Sequence, residues 1–178
     1  VWTEGNVAFG RIGQHDGNLG QDISSDGITI GIDKKTEDNK TIGFAINKSW
    51  QDTEVGTNDA NMDAEATSIL TYGSIKIKDN AYIESAIGLG EMDIDLDRSV
   101  TGGRNKGDRG GKQIFSSFTY LYEPETINEE NTLNYFTRLD LGYTVLDAYT
   151  ETGDDTAVHY NKQHIKSASL SVGFNLSR

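Results

Sequence analysis

Ser167-Ala168-Ser169-Leu170-Ser171-Val172-Gly173-Phe174-Asn175-Leu176 alternates without interruption between small or polar residues and larger apolar ones. Side chains of an extended chain point to opposite sides in turn. Ala168, Leu170, Val172, Phe174 and Leu176 therefore share one face, and Ser167, Ser169, Ser171, Gly173 and Asn175 share the other. This is a β-strand with one bulky apolar face and one face of small polar groups.

The same signature recurs towards the N-terminus. Ile28, Ile30 and Ile32 oppose Gly27, Thr29, Gly31 and Asp33, and Ile42, Phe44, Ile46 and Trp50 oppose Thr41, Gly43, Ala45 and Asn47. The polar link Lys34 to Lys40, with Asp38-Asn39, joins these two runs into a hairpin. Leu133, Tyr135, Leu139, Leu141, Tyr143 and Val145 oppose Asn134, Arg138, Asp140, Gly142 and Thr144, with Phe136 out of place on the polar side. Ile114, Phe118, Tyr120 and Tyr122 make a similar face, blurred by Phe115 and Leu121. Two runs are mixed. Around Leu70 and Tyr72, the residues Ile69, Ile75 and Ile77 take the other parity. Between Tyr82 and Leu96 the apolar phase moves from Ile83, Ile87 and Leu89 to Met92, Ile94 and Leu96. Gly88 and Gly90 sit at that switch and suggest a bulge.

The pattern predicts about eight strands, near 5–14, 22–34, 40–51, 63–78, 81–97, 112–123, 132–149 and 159–177. The links after the second, fourth and sixth are short. Those after the third (Asp52 to Met62) and fifth (Arg98 to Gly111) are long, the latter reading as a mobile Gly-rich loop.

Composition excludes several classes. Sixteen Lys+Arg against 28 Asp+Glu in 178 residues give a net charge of −12, which opposes binding to a phosphate backbone. No nucleic-acid partner is expected. No run approaches the ~18 apolar residues of a membrane helix. The absence of cysteine removes disulfides, Cys-ligated zinc, iron–sulfur clusters and thiol chemistry. The chain opens on Val1 without a basic and apolar leader and reads as a processed chain or part of a longer one.

Strands above ten residues exceed the usual five or six and suit the ~9–11 tilted residues that cross a bilayer. Faces made of Gly, Ser, Thr, Ala and Asn suit a narrow or hydrated interior, leaving the large apolar residues for lipid. The sequence thus predicts an all-β, antiparallel, up-and-down transmembrane barrel. Its pore-facing residues would be Thr29, Gly31, Asn47, Arg138, Asp140, Ser169, Ser171 and Asn175. Its lipid-facing residues would be Ile28, Ile30, Ile42, Phe44, Ile46, Leu139, Leu141, Leu170, Val172 and Phe174. Trp50, Tyr72, Tyr82, Tyr122, Tyr143, Tyr149 and Tyr160 are candidates for interfacial girdles.

The order of local motifs resembles the β-domain of bacterial autotransporters, the translocator of type V secretion. Val1-Trp2-Thr3-Glu4-Gly5 with Phe9-Gly10-Arg11 resembles its first strand, Asp26-Gly27-Ile28-Thr29-Ile30-Gly31-Ile32-Asp33 its second and Thr41-Ile42-Gly43-Phe44-Ala45-Ile46 its third. Leu70-Thr71-Tyr72-Gly73-Ser74 is similar to its fourth, and Leu96-Asp97-Arg98 to the end of its fifth. Thr137-Arg138-Leu139-Asp140-Leu141 with Asp147-Ala148-Tyr149-Thr150-Glu151 is similar to its seventh. The resemblance covers essentially residues 1–178 and implies a barrel in the bacterial outer membrane that anchors an N-terminal passenger and helps export it. Implied partners are membrane lipid or detergent, the passenger and the barrel-assembly machinery. Family barrels have about twelve strands behind a pore-threading helical linker and commonly finish on an aromatic residue. Here about eight strands are present and the ending is Leu176-Ser177-Arg178, so the domain is expected to be incomplete at its C-terminus. Two other readings remain: a small closed outer-membrane barrel with adhesive loops at 52–62 and 98–111, and a soluble barrel holding an apolar ligand.

No enzyme motif occurs: there is no nucleophile elbow, His-Glu-x-x-His or phosphate loop. No catalytic residue, cofactor or metal is expected. Glu91, Asp93, Asp95 and Asp97 alternate on one side of a strand and could hold a hard cation, but are expected to line a hydrated lumen or loop base facing Arg98, Arg104 or Arg109. Glu4 and Glu65 are further lumen candidates. His15, His159 and His164 read as solvated loop or strand-end residues.

Overall fold

A computed structural model describes residues 1–15, 19–36, 39–56, 60–124 and 132–177. The strands are β1 (Trp2–Ile12), β2 (Gln21–Lys35), β3 (Lys40–Val55), β4 (Ala60–Lys78), β5 (Ala81–Val100), β6 (Gly103–Tyr122), β7 (Thr132–Leu146), β8 (Tyr149–Thr150), β9 (His159–Tyr160) and β10 (Gln163–Ser177). Eight of them form one antiparallel sheet in the order β1-β2-β3-β4-β5-β6-β7-β10, and β8 and β9 pair with each other inside the connection from β7 to β10. The sheet curls into a half-barrel.

The period-2 pattern produces strands wherever it was seen, but the links differ from expectation. Thr101 to Gly111 is mostly strand: β5 turns into β6 through Thr101-Gly102 alone, with Gly102 at φ 113°. Glycines there lower the side-chain signal of a strand without preventing its ladder. Likewise β3 and β4 run to Val55 and from Ala60, shortening the expected 52–62 loop. The elaborated end of the sheet is therefore made by strands of 19 and 20 residues in β4, β5 and β6 rather than by long loops. At the other end, β4 and β5 are joined by Asp79-Asn80, and the facing ends of β2 and β3 are tied by Thr36 N donating to Lys40 O at 2.7 Å. The expected bulge at Gly88 and Gly90 is absent, because β5 keeps continuous register with both neighbours there. The register shift of β4–β5 lies between Lys76 and Lys78 instead.

Among the described residues β1 pairs only with β2, and β10 only with β7. The eight strands thus do not close on themselves, which removes the small closed barrel. The only buried apolar side chains among the described residues are Ala45 and Ala81. A water-soluble sheet protein needs a far larger apolar interior. The aliphatic face is the exposed one, so a soluble barrel with that face turned inward is excluded too.

Candidate functional site

Residues directly opposed across antiparallel strands share a face, so the register sorts the side chains. One row reads Thr3, Ile30, Ile46, Ile69, Leu89, Ile114, Tyr143 and Lys166 from β1 to β10. This is the outer face. The ten residues expected to face lipid all stand on this outer face, with Phe44, Leu170 and Val172 exposed by 64%, 70% and 74%. From the level of Ala81 to that of Leu89 the band spans eight residue steps of β5, roughly 20 Å at ordinary strand rise and tilt.

Above that row the outer face changes character. The next row carries Lys48, Thr67, Glu91 and Lys112, the next Asp26, Trp50, Glu65 and Asp93, and the one after Asp52, Asp63, Asp95 and Asp108. The acids of β5 and Glu65 therefore sit on the outer face, not in the lumen as expected. The cause is the inversion of the pattern along β5. Ile83, Ile87 and Leu89 face out below, whereas Met92, Ile94 and Leu96 face in above. Where the outer side carries charge, apolar residues of the same strand are better screened on the inner side. Of the three arginines expected near these acids, Arg104 does reach them, its Nε donating to Asp97 at 2.5 Å. Arg98 and Arg109 point to the inner face. Lys48 bonds Glu65 at 3.0 Å and lies 5.4 Å from the Trp50 ring. Among the described residues no three acidic or histidine side chains converge to hold a metal ion.

The inner face carries the eight residues expected to face a pore, in separate groups. Thr29, Gly31 and Asn47 lie on β2 and β3, where Asn47 Nδ2 donates to Thr29 Oγ1 at 2.9 Å. Arg138 and Asp140 on β7 are opposed to Ser171 and Ser169 on β10, with Asn175 farther along; Arg138 Nε donates to Asp140 Oδ1 at 2.8 Å. Glu4, opposed to Thr29, is on this face. Across the curl, Trp2 Nε1 donates to the Tyr72 hydroxyl at 2.5 Å, which donates to Asp33 at 2.9 Å. The rings can meet because Gly31 and Gly43 leave the space that a Cβ would fill. Phe115 lies over Gly88 and Phe136 over Gly173 in the same way. That explains the apparent misplacement of both phenylalanines. An open hollow of about 580 Å³ lies on this face, lined by Thr41, Tyr72, Glu84, Ser117, Thr119 and Arg138 among others. Tyr72 and Tyr82 are inward, so they leave the expected girdle, and Tyr149 and Tyr160 leave it by stacking on each other at 4.8 Å. Trp50, Tyr122 and Tyr143 remain on the outer face.

Among the described residues four polar side chains are buried: Thr53 on β3 at 4% exposure, and a group of three, Asn105 at 1%, Glu151 at 6% and Arg109 at 9%, whose burial was not expected from sequence. These three gather where the β8–β9 hairpin meets β5 and β6. Arg98 donates to both Glu151 oxygens at 3.1 and 2.5 Å, and the Val158 amide adds a bond at 3.1 Å. This fork holds the Glu151 carboxyl below the usual glutamate range, against the opposing effect of burial. No local motif announces the cluster, whose members lie up to 53 residues apart. His159 bonds Thr150 and His164 bonds Tyr143, each at 2.8 Å, and the two do not meet.

The family model described as autotransporter beta-domain matches residues 1–178. Among solved structures, the translocator domain of the autotransporter NalP from Neisseria meningitidis superposes with a TM-score of 0.83 at 16% identity, covering 99% of this chain and 60% of that one. The β-domain of the Bordetella autotransporter BrkA gives a TM-score of 0.45 at 12% identity, covering 98% of this chain and 84% of that one. A search of curated proteins returns no match. The chain spans 60% of the NalP domain's length and shares its fold. With the family match running over its whole length, the chain belongs to the autotransporter β-domain family.

Proposed function

We propose that this domain is part of a translocator wall that anchors an N-terminal passenger at the cell surface and helps it across. The observation that carries this is the division of the sheet into an outer face with a continuous aliphatic band and an inner face of small and hydrogen-bonded polar groups. As a member of its family the domain belongs to the bacterial outer membrane. The outer band meets lipid, and Thr29, Gly31, Asn47, Arg138, Asp140, Ser169, Ser171 and Asn175 face the pore.

Its work is physical rather than chemical. Burial of the band drives insertion, and a hydrated lumen satisfies the polar groups of a passing segment. The edges of β1 and β10 require partner strands in the membrane, because lipid offers no hydrogen bonds; further strands of the same protein would meet that need. Barrel-assembly machinery would insert the domain.

The test is surface display by the protein carrying this domain. Arginine at Leu170 or Val172 should abolish protease-accessible passenger on whole cells, and arginine at Ser169 or Ser171 should retain it. Equal loss in both sets would refute the assignment of faces; equal display in both would refute lipid contact.

A further inference from the structure

The hairpin β8–β9 continues β7–β10 in the same register. Leu146 opposes Gln163 and, three residues on in each strand, Tyr149 opposes Tyr160. Yet the two levels between them, Asp147 with Lys162 and Ala148 with Asn161, lie outside any strand. The side chain of Arg109 fills this gap. Its Nε donates to the Asp147 carbonyl at 2.7 Å and a terminal nitrogen donates to the Asn161 carbonyl at 3.3 Å, one on each side of the break. A third bond reaches Gln163 Oε1 at 3.0 Å.

The break also alters the pairing with β6. Leu146 opposes Gly111, whereas Thr152 bridges Lys106. Five residues, 147–151, therefore face four, 107–110, which is a bulge. Beyond it Tyr149 lies over Gly107 on the inner face. At its far end the hairpin is held through Glu151: by the Arg98 fork, and within the hairpin by the Val158 amide. Asn105 accepts from the Asp154 amide at 2.7 Å and donates to Thr156 at 3.2 Å.

We propose that β8–β9 is a hinged arm at the elaborated end of the sheet, jointed at 147–148 and 161–162 around Arg109 and latched onto β5–β6 by Glu151. Two levels without a backbone ladder, crossed by the Asp147–Lys162 ion pair at 3.7 Å and tied to β6 where Asp147 N donates to Gly110 O at 2.8 Å, can absorb dihedral change while the strands on either side stay intact. Its carbonyls go to a side chain, which can follow or release them without unzipping β7–β10. The Glu151 latch is polar and local and acts beside the two backbone bonds between Lys106 and Thr152 at 2.8 and 2.7 Å, so its loss loosens the arm without costing the sheet its ladder.

The test is amide hydrogen exchange on the protein carrying this domain, folded in detergent micelles, with heat-modifiable gel mobility as the check of folding. In Glu151→Ala, exchange across 149–160 should accelerate at least tenfold while 136–145 and 164–175 keep their wild-type rates. The chain has no cysteine, so Lys106→Cys with Thr152→Cys can be added and oxidised across the bridge. That lock should return the arm to wild-type protection in the Glu151→Ala background. Equal acceleration in the arm and in β7–β10 would mean one undivided hairpin, and unchanged exchange would mean that Glu151 is no latch. Failure of the lock to restore protection would mean that the arm unravels instead of swinging. Each of these three results overturns the proposal. The experiment reads motion and not transport, so its failure leaves the translocator reading standing.

Discussion

Leu170 and Ser169 are adjacent in the chain but stand on opposite faces of β10, and their substitutions should separate accordingly. Arginine at Leu170, Val172 or Phe174 is expected to cost about 2–4 kcal/mol near the bilayer midplane, with a much smaller cost at Ser169 or Ser171. Folding titrations in vesicles measure the difference. Inside the curl, Phe115 occupies the space that a side chain on Gly88 would need. Gly88→Val should therefore lose about 1–3 kcal/mol from overpacking, and Phe115→Ala in the same chain should recover much of it; a double-mutant cycle of unfolding free energies checks the coupling. Period 2 placed Phe115 and Phe136 on the polar side correctly. It could not say why, because the explanation is a glycine on a neighbouring strand, 27 or more residues away in sequence.

β5 shows how one strand can serve two environments. Its lower half presents Ile83, Ile87 and Leu89 outward and its upper half Met92, Ile94 and Leu96 inward, with unbroken pairing to β4 and β6. Read as a linear pattern, a phase change and a bulge look alike, since each moves the apolar residues to the other parity. Tryptophan introduced singly at 87, 89, 93 or 95 should report the boundary: brominated acyl chains should quench the first two strongly and the last two weakly. Quenching that stays strong through 95 would place the acidic rows in the membrane and refute the inversion. The arm gives a second expectation. Because the native pKa of Glu151 lies below its unfolded value, its contribution is complete from neutral pH down to the ordinary glutamate range. It is lost as pH falls through the lowered native value. Glu151→Gln should flatten that part of the acid dependence of arm protection, measured by hydrogen exchange with rates corrected for pH.

The curled sheet as a whole has an aliphatic outer band, an acidic tier above it and two open edges. The net charge of −12 is concentrated in part on that tier, where Asp52, Asp63, Asp95 and Asp108 stand in one row across four strands. Like charges directly opposed destabilise a sheet, and exposure to water with its counterions keeps that cost small. The edges are the larger liability. Without partner strands, the 178-residue chain in micelles should associate through β1 and β10, giving cross-linked dimers and larger species. A monomer stable at high dilution would show that the two edges pair with each other on folding.

Strand existence, strand direction and the sorting of side chains into two faces were determined by the sequence itself, because the alternation of Leu170, Val172 and Phe174 with Ser169, Ser171 and Gly173 is a local consequence of extended backbone geometry. The motif order carried the family in the same local way. The tertiary structure alone decided at which row the outer face changes from apolar to charged, that the Gly-rich run is a strand, and that Arg109, Asn105 and Glu151 meet. Those outcomes depend on which strand lies beside which and in what register. Alternation within one strand contains no information about either.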